Sequence, residues 1–252
     1  MSEALRLFGS RAIVTGASNG IGEAIVRTLV KQGGSVFAVD KPDSGIETYF
    51  KKLRNVTPYA ASVADKDSAI EMVRQANEAL DGLDIVVNNS SIQAGAVMSD
   101  NDETELEQFL ERKIQLYAAT SRAAFPFLEK SPAGRIINMG CNRSAFSRDG
   151  EAAYRKSQDA VAELTLTLAA EAGPIGTTVN YVQPGAVMTP TSRRIFADDK
   201  ALRDYCINHS AAKRLGDPVD IAKVVLFLAS DDAVFVSGTG VVADGGRVKD
   251  NG

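Results

Sequence analysis

Short apolar runs recur along the chain, each followed by a longer segment with helical periodicity. The runs are Ala12-Ile13-Val14, Val36 to Val39, a weaker Pro58-Tyr59-Ala60, Ile85-Val86-Val87, Arg135-Ile136-Ile137, Thr178 to Val182 and Gly240-Val241-Val242. Between them, helices are expected from about Ile21 to Gln32, Lys66 to Leu80, Glu103 to Leu128, Glu151 to Ala172 and Asp217-Pro218 to Ala229. An Asp before a Pro suits a helix cap followed by a first helical residue that needs no N–H donor. Apolar strands joined by helices specify a parallel sheet covered on both faces. The expectation is one doubly wound α/β domain over residues 1–252, with about seven strands.

Composition narrows the chemistry. Lys and Arg number 28 against 32 Asp and Glu, so no basic excess invites nucleic acid or an anionic membrane. No apolar stretch is long enough to span a bilayer, and the first residues, with Glu3, do not read as a signal peptide. Two cysteines, Cys141 and Cys206, are too few for a disulfide framework and suit a reducing, cytoplasmic setting. His209 is the only histidine, so a multi-histidine metal site is excluded and no metal is expected.

Between the first strand and the first helix lies Thr15-Gly16-Ala17-Ser18-Asn19-Gly20-Ile21-Gly22. A bare glycine pattern is weak, but this one stands in the strand–loop–helix context that phosphate binding requires. Gly16 suits a tight turn. Gly20 lets the backbone approach a pyrophosphate at the helix N-terminus, and Gly22 lets the helix pack closely. Asp40 ends the second strand, where an acid binds ribose hydroxyls. A carboxylate there repels a 2′-phosphate and Asn19 brings no positive charge, so NAD is favoured over NADP. Lys41, beside Asp40, is the counter-argument, and a solvated lysine is its simpler reading.

These landmarks, with Asn88-Asn89, Tyr154, Pro184-Gly185, Thr189 and Asp244-Gly245-Gly246, make the chain resemble the short-chain dehydrogenase/reductase family along nearly its whole length. The resemblance implies a seven-stranded Rossmann domain, a nicotinamide cofactor and hydride exchange between an alcohol and a carbonyl. It implies cofactor contacts at Gly16, Ser18, Asn19, Gly20, Ile21, Gly22, Asp40, Ser62, Val63, Asn88, Ser90, Gln158, Pro184, Gly185, Val187 and Thr189. It makes residues 190–213, with His209, Arg193, Arg194 and Arg203, the expected substrate lid. It also implies a homotetramer or homodimer built on the two long helices, whose Phe109, Leu116, Leu164 and Leu168 exceed what one sheet face needs.

The catalytic positions depart from the family. Tyr154 matches the family's acid/base. The lysine expected one helical turn on is Gln158, and Lys156 points about 200° round the helix instead. Cys141, a poor hydrogen-bond donor, stands where the family's serine holds the substrate oxygen. Lys113 stands where the family has an asparagine in the preceding long helix.

Two readings of Lys113 remain open. It replaces the charge lost at Gln158, or it lies on a solvated helix face with Glu111 and Arg112. The function expected is an NAD-dependent alcohol/carbonyl oxidoreductase with an altered site, formed by Tyr154, Lys113, Cys141 and Gln158. The alternatives are a non-catalytic dinucleotide-binding protein and, less in keeping with the intact glycine loop, elimination chemistry.

Overall fold

The computed structural model describes residues 5–90, 103–140 and 151–246, with the backbone alone described at 103–106, 151–155 and 157. In chain order the elements are β1 (Arg11–Thr15), α1 (Gly20–Lys31), β2 (Ser35–Asp40), α2 (Ile46–Tyr49), β3 (Val56–Ala60), α3 (Lys66–Leu80) and β4 (Ile85–Asn88). There follow α4 (Glu103–Leu128), β5 (Arg135–Met139), α5 (Glu151–Ala172), β6 (Thr178–Pro184), α6 (Pro190–Asp198), α7 (Lys200–Asn208), α8 (Pro218–Ala229) and β7 (Gly240–Ala243). All seven strands are parallel, in the order β3-β2-β1-β4-β5-β6-β7. Pro58 sits in β3, an edge strand, where its missing N–H breaks no inner ladder.

Alternation along the strands divides the core in two. Ala12 and Val14 face α1 and α8, packing with Ile25, Leu29 and Val225. Ile13, Phe37 and Val39 face the other way, onto Met72, Leu164 and Leu168 of α3 and α5. Phe109, Leu116, Leu164 and Leu168 are all buried within the single chain. They are therefore not the surplus apolar surface that the sequence suggested for an interface. Two of them are used on the sheet because α4 and α5 pack side by side over it. Exposed large apolar side chains include Phe8 before β1, Leu166 on α5, Val234 and Phe235 after α8, and Val242 on β7.

At the N-terminal edge of the sheet, Arg11 grips Asp84 through Nε and a terminal nitrogen, at 2.8 and 2.9 Å. The backbone N–H of Arg11 and the Ser131 hydroxyl also donate to that carboxylate. Burial pushes the Asp84 carboxyl up. The Arg11 and Ser131 hydrogen bonds outweigh it and hold the group below the usual carboxylate range. A depressed folded pKa adds stability above about pH 4, the ordinary range for an Asp in an unfolded chain. That stability is lost as pH falls through the folded value. Arg11→Ala should thus cost about 2–3 kcal/mol near neutrality, with a difference from wild type that shrinks in acid. Urea unfolding at several pH values measures this. A cost independent of pH would contradict it.

Candidate active site

The strand order reverses between β1 and β4, which opens a crevice outside their C-terminal ends. The glycine loop fills one side of it. Gly16 has φ +65°, and a Cβ there would stand 2.9 Å from the Ser90 Cα. A Cβ on Gly22 would stand 1.9 Å from the Gly16 carbonyl oxygen, so the close packing that Gly22 permits is of α1 against its own loop. Gly20 has φ +56° and faces Thr189 across the crevice.

The loop is fastened from β4. Asn89 donates through Nδ2 to the carbonyls of Thr15 and Gly16, at 3.0 and 3.1 Å. The Thr15 hydroxyl oxygen accepts the backbone N–H of Asn89 and of Ser90, both at 3.0 Å. The Asn88 side chain turns inward and donates to Ser121 on α4 and Asn138 on β5, and Asn138 donates on to Thr165 of α5. Asn88 thus ties the sheet to the two long helices. The family landmark Asn89 thus serves to fasten the loop. A polar pair directly after an apolar strand was the signal that both serve the strand end.

At the far end of the loop the Asp40 carboxylate accepts the Ser18 N–H and hydroxyl on one oxygen and the Lys41 N–H on the other. Ser62 is exposed and Val63 half-buried just beyond β3. On the opposite wall, Pro184, Gly185, Val187 and Thr189 are buried. Thr189 caps α6, its hydroxyl accepting the Ser192 N–H. The segment 190–213 forms α6 and α7, which the sequence reading did not foresee as helices. They pack on each other through Phe196 and Cys206, with Met188 and Leu215 beside them. His209 is half-buried, stacked on Tyr205 at 3.8 Å between ring centres. Arg193, Arg194 and Arg203 are exposed.

Helices α4 and α5 run side by side with a constant offset of 49 residues: Lys156 pairs with Glu107, and Arg122 grips Glu171. Lys156 is thereby held on the outer surface. Glu111 and Arg112 are exposed, but Lys113 is only 3% exposed. The solvated-face reading of Lys113 is therefore wrong. The helical pattern misled because the polar triplet 111–113 straddles the boundary of the buried face. The Lys113 ammonium lies 5.1 Å from the centre of the Tyr117 ring. Lysine is almost never fully buried without compensation, since removing its charge from water is costly. Gln158 is half-buried on α5. Tyr154 lies in the first turns of α5; its side chain, and Cys141, are outside the described residues.

Comparison with known proteins gives these positions a context. The family profile described as enoyl-(acyl carrier protein) reductase matches residues 16–247. The chain belongs to the short-chain dehydrogenase/reductase family. The 3-oxoacyl-acyl-carrier-protein reductase FabG of Vibrio harveyi is 31% identical over 243 residues, covering 96% of this chain and 98% of its own. Oxidoreductase UcpA of Salmonella typhimurium is 32% identical over 251 residues, covering 96% and 95%. The crystal structure of a candidate gluconate dehydrogenase from Agrobacterium tumefaciens superposes with TM-score 0.82 at 24% identity over 96% of this chain, which speaks to the fold.

Short-chain dehydrogenases/reductases are oxidoreductases that use a nicotinamide dinucleotide, and the crevice fits one. Asn19 precedes helix α1 at the capping position, and its side chain accepts none of the first-turn N–H groups. Helices α3 and α6 both close that end with a side chain. An uncapped helix start behind a glycine loop suits a pyrophosphate. The glycines at 16, 20 and 22 keep clear of Cβ atoms the space where loop, strand end and Thr189 converge. Among the described residues no helix is long and apolar enough to cross a membrane.

Proposed function

We propose that the protein is an NAD-dependent alcohol/carbonyl oxidoreductase of the cytoplasm in which Lys113 supplies the charge that the family places at the position of Gln158. The observation that carries this reading is the burial of Lys113. Burial keeps this ammonium out of water, beside the Tyr117 ring and on the helix next to the one bearing Tyr154, where its charge acts on its surroundings more strongly than it would in solvent. The 49-residue offset between the helices sets Lys113 opposite Ala162, one turn beyond Gln158. Helical side chains lean toward the N-terminus, and the lysine stem is long enough to rise about one turn.

In this reading Tyr154 exchanges the proton. Its phenolate accepts the hydroxyl proton of an alcohol substrate; in reverse, the phenol gives a proton to the carbonyl oxygen. A nicotinamide held at the glycine loop would supply or accept the hydride. The Lys113 ammonium favours the phenolate, since an opposite charge within about 4–6 Å lowers a pKa by 1–3 units. Gln158 would hydrogen-bond a ribose hydroxyl, and Cys141, outside the described residues, takes the position that the family gives to the serine holding the substrate oxygen. Helices α6 and α7 cover the substrate.

The site should prefer NAD(H) to NADP(H). Asp40 is fixed at the loop by Ser18, where it meets ribose hydroxyls and opposes a 2′-phosphate, and Asn19 offers no cation. Calorimetric titration should show NAD(H) tighter, and Asp40→Ala with Asn19→Arg should reverse the order. Tighter NADP(H) binding by the natural chain, or no binding of either, would overturn the cofactor reading. Turnover is tested by nicotinamide absorbance over a panel of alcohols and carbonyls, on wild type and on Gln158→Lys. If only Gln158→Lys turns over, the chain is a dinucleotide-binding protein without catalysis.

The family resemblance also points to a homo-oligomer. With the four long-helix residues buried, an interface would draw on exposed apolar side chains such as Phe8, Leu166, Val234, Phe235 and Val242. Light scattering should find a dimer or tetramer at micromolar concentration. A monomer that persists there would contradict this.

A further inference from the structure

Tyr117 lies one turn after Lys113 on α4, and a side chain at that spacing leans back over the earlier residue. It is 1% exposed, and two of its contacts differ in kind. Its ring sits beside the Lys113 ammonium, 5.1 Å away. Its hydroxyl donates to the Ser90 carbonyl at 3.2 Å. Ser90 is the residue whose backbone abuts Gly16 and whose N–H is held by Thr15. One side chain therefore joins the buried charge to the strand end that carries the glycine loop.

We infer that Tyr117 is a positioning residue, whose ring holds the Lys113 ammonium at the site while its hydroxyl fixes that ring to the Ser90 backbone beside the cofactor loop. This rests on the role proposed above for Lys113. The chemistry separates into two parts. The negative face of an aromatic ring attracts a cation, and more strongly when the pair is desolvated. That part needs only the ring. The bond to Ser90 needs only the hydroxyl, and it orders the strand end against Gly16.

Two substitutions divide them. Tyr117→Phe keeps the ring and loses the hydroxyl. Tyr117→Met keeps bulk and apolar character but loses the aromatic face, and its flexible side chain is well tolerated in cores. The readout is the tyrosinate absorbance titration of Tyr154, taken in each background as the difference made by adding Tyr154→Phe. It needs no substrate, and a loss of general packing does not move it selectively. Tyr117→Met should raise the Tyr154 titration by about one unit. Tyr117→Phe should leave that titration in place and weaken NAD binding several-fold, because the Ser90 anchor is gone.

Lys113→Ala is the reference. If it does not move the Tyr154 titration, the parent reading fails and Tyr117 has no charge to position. If it does, while Tyr117→Met leaves the titration at the wild-type value, only the role of Tyr117 fails. If Phe and Met shift it equally, the ring is not what acts and the inference is overturned. Should Tyr117→Met fail to fold, a Tyr154 titration shifted in Tyr117→Phe as far as in Lys113→Ala overturns it by itself.

Discussion

Lys113→Ala should lower turnover by about 100-fold or more while leaving NAD affinity within a few-fold of wild type. General acid–base catalysis contributes about 10²–10⁴-fold, and an unassisted tyrosine with a pKa of about 10 is almost wholly protonated near neutrality. Alcohol oxidation, which needs the phenolate, should suffer more than carbonyl reduction. The residues proposed to hold the cofactor are untouched, because Asp40 is fixed by Ser18 and the glycine loop by Asn89 rather than by Lys113. Lys113→Asn combined with Gln158→Lys rebuilds the family's arrangement. It should restore more activity than either single change. Steady-state kinetics on the four proteins checks this, with NAD titration as the control on folding. Full activity in Lys113→Ala would end the relocation account.

Gly22→Ala should abolish cofactor binding at micromolar NAD. The added methyl would meet the Gly16 carbonyl at 1.9 Å and Asn89 Nδ2 at 2.7 Å. The first obstacle is backbone, so the loop or the start of α1 must shift. Overpacking of this sort costs about 1–3 kcal/mol of stability. The displaced N–H groups would no longer converge on a phosphate, and a loss of about 10–100-fold or more in affinity follows from a similar energy. Gly173→Ala is the matched control, since nothing lies within 4 Å of its Cβ position. Calorimetry and thermal melts compare the two. Equal NAD affinity in Gly22→Ala and wild type would show that the loop does not hold the cofactor.

The sheet was legible because burial on both faces leaves continuous apolar runs, and Ile85 to Val87 or Val36 to Val39 can hardly be read otherwise. The same argument exposed the glycine loop, whose spacing follows from geometry that no other residue meets. Helices α6 and α7 were not legible. They are nine residues each, and their burial comes from a small satellite cluster around Phe196 and Cys206. The long-helix residues Leu164 and Leu168 were assigned outward because periodicity finds an apolar stripe without saying what covers it. Lys113 was undecidable for a related reason. Glu111 and Arg112 make it look solvated, and only the packing of α4 on its neighbours shows it enclosed. Tyr117 was visible at the i+4 position, but its bond to Ser90 spans 27 residues and follows from the tertiary fold alone.

The proposal that a buried Lys113 activates Tyr154 rests on the ionisation of that phenol. Its most direct test is a tyrosinate absorbance titration of the NAD-bound protein, which counts ionising tyrosines against pH. One tyrosine should titrate about 1–3 units below the ordinary value near 10, disappear in Tyr154→Phe and return toward 10 in Lys113→Ala. A wild-type protein with no early tyrosine, or an early Tyr154 that stays in place without Lys113, would contradict the account.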